Sequence, residues 1–180
     1  MQKECNQVVL MILCLCSFIS SVAQTVVIIR HAEKPLKGEN LNCQGLNRSL
    51  KLPAVLYSKF GIPGSIYVPS LGIGVSTGHA RMFETVIPLA AKYNLKINSK
   101  YPEADSGDLA RDIKSQKGFV LVVWQHGNIP TIVRSLGLTD FSLKWDDNDY
   151  DSIWIITFPE GVPKITFDKE ALVPSLNCPD

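Results

Sequence analysis

Two apolar runs constrain this chain most. "VVII" at 26–29 and "FVLVVW" at 119–124 are short, rich in β-branched residues and without polar alternation. A strand that is apolar at every position has to be covered on both faces, which is the habit of parallel sheets packed between helices. The intervening sequence supplies such helices. Leu46, Leu50, Leu56 and Phe60 fall close to helical spacing over 45–60, with Pro53 expected to kink or divide the helix. Further helices are expected over 80–93 (with Pro88 inside), 108–116 and 129–136, the last stopped by Gly137. Short strands are expected at 65–68 and around 95–97. The chain closes on strands 152–158 and 164–167, joined by "PEGVP" as a hairpin. The expected architecture is α/β: a three-layer sandwich whose central sheet is mainly parallel, with helices on both faces.

The size suits a single domain. Of 180 residues, 46% are hydrophobic and 19% charged, and the net charge is +1. That balance carries no electrostatic footprint for nucleic acid. The first 23 residues are expected to be a signal peptide, leaving 24–180 as the mature domain. Lys3 precedes an apolar run at 8–19, and Ser21-Val22-Ala23 places small residues where a signal peptidase reads. A retained anchor is the alternative, because Glu4 dilutes the positive start, but the run falls short of the roughly 20 residues that span a bilayer. The expectation is therefore an exported protein, periplasmic or secreted, with no membrane attachment after cleavage. Only Cys43 and Cys178 would then remain, as a disulfide or as two free thiols. No Cys-x-x-Cys pattern suggests zinc.

Both apolar runs end in a histidine. The first passes into Arg30, His31, Glu33 and Lys34, and the second into His126-Gly127-Asn128. Parallel sheets gather their sites beyond the carboxyl ends of the strands, so two histidines placed this way on one sheet point to a site.

The motifs "RHAEKP" and "QHGNIP" together resemble those of the histidine phosphatase superfamily, the phosphoglycerate mutase-like group. "LNCQGLNRSLKLPAVLYSKFG", "STGHARMFETVIPLAAKYNL", "VLVVWQHGNIPTIVRSLG" and "KWDDNDYDSIWII" resemble further segments of that family, in its order. The last is similar to the closing segment of small exported members. The resemblance implies the phosphoglycerate mutase-like fold and an attack by His31 on phosphorus that forms a phosphohistidine. It further implies Arg30 and Arg81 as phosphate-holding guanidinium groups, with His126 as a second donor. Nearby cations would disfavour protonation of His31. No metal or other cofactor is needed, since the arginines supply the charge.

The leaving group calls for an acid, and its identity stays open. The acid-phosphatase branch carries His-Asp where this chain has His126-Gly127. In "YPEADSGDLARD", Glu103, Asp105 and Asp108 are candidates, a solvated acidic loop being the alternative for each. Lys34 and Glu33 are expected at the pocket rim, with Lys34 attracting an anionic substrate or simply solvated. Arg48 is expected either at the rim, reaching phosphate, or in a structural ion pair. Arg81 and Glu84, three apart on a helix, could form a surface pair. His79, two residues before Arg81, is expected on the loop surface, the pocket entrance being the alternative. "DNDYD" at 147–151 fails as an EF-hand, because Ser152 and Phe158 stand where Gly and Glu are required. It reads as a turn at the pocket edge. Asn47-Arg48-Ser49 is a glycosylation sequon on an expected helix.

The activity implied is that of an exported phosphatase acting on a small phosphorylated molecule or a phosphoprotein. A phosphomutase and a catalytically weak phosphate-binding module of the same fold are the alternatives. The oligomeric state is not legible.

Overall fold

The computed structural model of the chain describes residues 23–72, 74 and 76–179. The expected signal peptide lies outside them, apart from its last residue. Among the described residues no helix is long and apolar enough to cross a membrane.

In chain order the elements are β1 (Thr25–Arg30), α1 (Cys43–Phe60), β2 (Ser65–Tyr67), α2 (Ala80–Tyr93), β3 (Ile97–Asn98), α3 (Ser106–Ser115), β4 (Phe119–Trp124), α4 (Ile129–Ser135), β5 (Ser152–Thr157) and β6 (Lys164–Lys169). They form one six-stranded sheet in the order β3-β2-β4-β1-β5-β6. β1, β2, β3 and β4 run parallel, while β5 is antiparallel to both β1 and β6.

The unbroken apolar runs are explained by where alternate side chains go. Val26, Ile28, Val120, Val122 and Trp124 join Leu109 and Ile113 of α3 and Ile129, Ile132 and Val133 of α4 in one core. Val27, Ile29, Leu121 and Val123 join Leu52 and Leu56 of α1 and Met82, Val86 and Leu89 of α2 in the other. Each central strand thus separates two buried layers, as expected of a three-layer sandwich.

Pro53 does not divide α1, which is continuous from Cys43 to Phe60. A proline inside a helix costs about 3 kcal/mol. Leu52 and Leu56 on either side of it are fully buried, and burial of each such side chain stabilises by about 1.5–3 kcal/mol. The packing therefore outweighs the lost hydrogen bond. The helix starts two residues before the expected point because Asn42 caps it, its side-chain oxygen accepting from the Gly45 amide at 2.8 Å.

The closing hairpin positions a loop. Trp154 of β5 packs against Trp145 (tilted) and Phe141 (edge-on), with ring centroids 4.7 and 5.1 Å away. This seats segment 141–145 on the sheet and delivers the acidic turn at 146–150 to the carboxyl end of β1.

The tail folds back onto α1. Cys43 and Cys178 form a disulfide, with Cα atoms 4.4 Å apart. The Asn47 amide group donates to the carbonyls of Ser175 and Asn177 at 3.0 and 2.6 Å. The sequon asparagine is thus occupied in holding the tail. Closing a loop across a sequence separation of 135 residues stabilises by up to about 5 kcal/mol in the chain-entropy model. Reduction is expected to lower the denaturant midpoint correspondingly, and an unchanged midpoint in reductant would contradict this.

Candidate active site

β1 and β4 are neighbours in register, Arg30 opposite Trp124, so the residues that follow them emerge side by side. The amide of His31 donates to the Trp124 carbonyl at 3.2 Å, carrying the pairing one residue past the strand. The imidazole of His31 is buried, and its Nδ1 lies 2.7 Å from the carbonyl oxygen of Ala32. A carbonyl only accepts, so Nδ1 bears the proton and Nε2 keeps its lone pair. Burial, aided by the charges of Arg30, Arg81 and His126, pushes the His31 pKa down to about 4. The ring is therefore neutral at physiological pH, with Nε2 available as a nucleophile.

His31 lines a cavity of about 190 Å³ with Glu39, His79, Arg81, Met82, Glu103 and Gln125. Arg81 stands in the first turn of α2, where its Nε and one Nη donate to the carbonyls of Glu39 and Gly38 at 3.2 and 3.0 Å. It pairs with Glu39 at 3.5 Å and not with Glu84, whose carboxylate accepts from the Leu41 amide at 2.7 Å. Helical spacing suggested the Arg81–Glu84 pair, but the loop at 38–41 captures both side chains.

Arg30 is fixed from the opposite side. One Nη donates to the carbonyls of Asp147 and Asp149 at 2.6 and 3.3 Å, and the other to the Tyr150 hydroxyl at 3.2 Å. The guanidinium lies 3.8 Å over the Tyr150 ring. The fork expected to face phosphate is thus turned to the acidic turn, and Nε is left buried without a partner. His126 is held by the same turn, its Nε2 2.8 Å from Asp147 Oδ1. Burial, then Arg30, holds its pKa below the usual imidazole range, with Asp147 opposing them. Its buried Nδ1 also has no partner. Among the described residues these two nitrogens are the buried side-chain polar atoms left unsatisfied. His126 lines a different cavity, of about 300 Å³, with Arg134, Leu143, Lys144, Trp145 and Asp147.

The acid candidates separate clearly. Glu103 lines the same cavity as His31. Its Oε1 accepts from Asn128 Nδ2 at 2.9 Å, its Oε2 lies 2.8 Å from His79 Nδ1, and its carbonyl accepts from Trp124 Nε1 at 2.9 Å. Asp105 instead caps α3, accepting from the Asp108 amide at 3.1 Å. Asp108 pairs with Arg111 at 2.7 Å. Both line a different cavity, with Lys100 and Tyr101. His79 lines the cavity of His31 while its side chain stays 41% exposed, which matches the entrance alternative.

Arg48 and Glu33 are not at the rim. Both are buried, with Arg48 donating to both Glu33 carboxylate oxygens at 3.0 Å and to Glu170 at 2.6 Å, and standing 3.5 Å from Asp151. The structural ion pair prevails because three carboxylates converge on Arg48 inside the fold. Lys34 is exposed, and its charge contributes to the lowered His126 pKa. Among the described residues no group of three His, Cys, Asp or Glu side chains is placed to hold a metal ion.

One arginine facing three carboxylates has a pH signature. Burial, reinforced by Asp151 and Glu33, pushes the Glu170 pKa up to about 8 against the pull of Arg48. The folded state then holds a proton that the unfolded chain loses near pH 4.5, so stability falls as pH rises between about 4.5 and 8. Urea midpoints measured across that window are expected to decline more steeply in wild type than in Glu170→Gln, and equal slopes would refute the shift.

The fold has solved counterparts. The protein histidine phosphatase SixA complexed with tungstate superposes with a TM-score of 0.60 at 16% identity, covering 81% of this chain and 97% of that one. Phosphoserine phosphatase from Entamoeba histolytica, in complex with 3-phosphoglyceric acid, gives 0.52 at 14% identity, covering 81% and 96%. Phosphoglycerate mutase from Bacillus anthracis gives 0.52 at 14%, covering 81% and 92%. No protein-family model matches the chain, and neither does any curated protein. The chain has the phosphoglycerate mutase-like fold.

Proposed function

We propose that the protein is an exported phosphatase that hydrolyses a phosphorylated small molecule or phosphoprotein through a phosphohistidine on His31. The observation that carries this reading is the pair of buried, unpartnered nitrogens, Arg30 Nε and His126 Nδ1, set beside a neutral His31. A buried polar atom without a partner costs about 1–3 kcal/mol. A phosphoryl oxygen would satisfy both, with His126 taking up a proton as the anion arrives. Arg81 adds the second guanidinium charge. Glu103, in the same cavity, supplies the leaving-group acid that His126-Gly127 lacks, which speaks against a weak binding module. Export is supported by the apolar leader sequence and by the Cys43–Cys178 disulfide, a bond favoured in oxidising compartments.

The test is chemical. The protein is mixed with an activated phosphomonoester, quenched in base, and digested for phosphopeptide mapping. Base-stable, acid-labile phosphate on His31 followed by release to water is expected. Turnover of no phosphorylated compound would refute catalysis, and preferential transfer to a sugar acid would favour a phosphomutase.

A further inference from the structure

Resting on this reading, we infer that His79 is the partner residue that keeps Glu103 supplied with a proton, so that the acid of the reaction is a His79–Glu103 couple. The two side chains meet at 2.8 Å, and both line the cavity of His31. Asn128 occupies the other carboxylate oxygen and the Trp124 indole fixes the Glu103 backbone. His79 Nδ1 therefore meets the one carboxylate oxygen that Asn128 leaves.

The backbone supports a role for this contact. His79 has φ 59° and ψ 18°, in the left-handed region, and makes no side-chain cap to α2 although it occupies the cap position. A residue other than glycine held there is strained, and such strain collects at functional sites. Here it aims the ring at Glu103 in place of the helix end.

The chemistry needs such a partner. A carboxyl group that gives its proton to a leaving oxygen must take up another before the next turnover. His79, whose Nδ1 lies 2.8 Å from Glu103 Oε2, is placed to hand one on. His31, Glu39 and Arg81 are the other charged or titratable groups facing this cavity. In the first step Nε2 of His31 bonds to phosphorus, the bond from phosphorus to the leaving oxygen breaks, and the couple's proton passes from Glu103 to that oxygen. In the second step water attacks the phosphohistidine, its proton returns to the couple, and the N–P bond breaks. His79, 41% exposed on its side chain, exchanges protons with solvent between turnovers.

The test uses His79→Gly, which removes the ring and suits the left-handed backbone, beside Glu103→Gln. Single-turnover phosphorylation of His31 is followed with aryl phosphates from dinitrophenyl to phenyl. In His79→Gly, phenyl phosphate is expected to react about 100-fold more slowly and dinitrophenyl phosphate within about threefold of wild type, since only the poorer leaving group needs the proton. Added imidazole is expected to restore at least about tenfold of the loss in His79→Gly and none in Glu103→Gln. A loss uniform across leaving groups, no loss with phenyl phosphate, or no rescue by imidazole would each overturn the couple. Failure of wild type to label His31 with any aryl phosphate would instead bring down the phosphatase reading itself, before any variant is compared.

Discussion

His31→Ala is expected to abolish phosphoenzyme formation and to lower turnover by a factor on the order of 10⁴ or more, while leaving phosphate binding in place. Nucleophile and binding groups are separable here. On the proposed reading His31 brings the attacking lone pair, on Nε2, whereas Arg30 and Arg81 bring charge and donors and His126 becomes a donor on taking up a proton. Removal of a covalent nucleophile commonly costs this much, because no second group can open the two-step route. Residual phosphate affinity, read by titration calorimetry, distinguishes this from a collapsed site. The lowered pKa adds a second expectation. With His31 neutral above about pH 4, phosphorylation in wild type is expected to hold its rate as pH falls from 8 to 5. A rate that halves near pH 6.5 through protonation of His31 would show an imidazole of ordinary basicity.

Arg48→Ala is expected to cost about 3–5 kcal/mol, the largest stability effect of any single substitution considered. The loss is not that of a surface ion pair, which is worth about 0–1 kcal/mol. Arg48 and its partners Glu33 and Glu170 are all nearly inaccessible. Removing the guanidinium leaves the Glu33 carboxylate buried with no opposite charge, the situation that makes a half-broken buried pair so costly. Because Glu33 lies two residues after His31, activity is expected to fall together with stability. Urea unfolding checks the magnitude, and a loss below about 1 kcal/mol would show that the cluster admits water.

The fold was legible where burial is two-sided. "FVLVVW" matches β4 residue for residue, and β1 extends the expected strand by one residue at each end. The apolar runs stop where polar residues begin, so their boundaries are local. Pro53 misled because local cost was weighed without Leu52 and Leu56 against the sheet. In the site, Arg30, His31, Arg81 and His126 could be named from motifs, yet their partners could not. Arg30 is held by backbone carbonyls more than 115 residues away, and carbonyls leave no mark in sequence. Arg48 meets Glu170 across 122 residues. His79 and Glu103 sit in separate loops, and neither position has periodicity to betray the other. Asp105 was a readable miss: an aspartate just before "SGD" at a helix start is an N-cap signal, and that alone would have ranked Glu103 above it.

The covalent bond between Cys43 and Cys178 turns almost the whole described domain into a closed ring. Every element from α1 to β6 lies inside it, while β1, which leads into His31, lies outside it in sequence yet sits between β4 and β5 in the sheet. A protease that cuts the exposed stretch 142–144 therefore opens the ring without dividing it. The two pieces remain one molecule, and the nick becomes visible as two chains only after a reductant has acted.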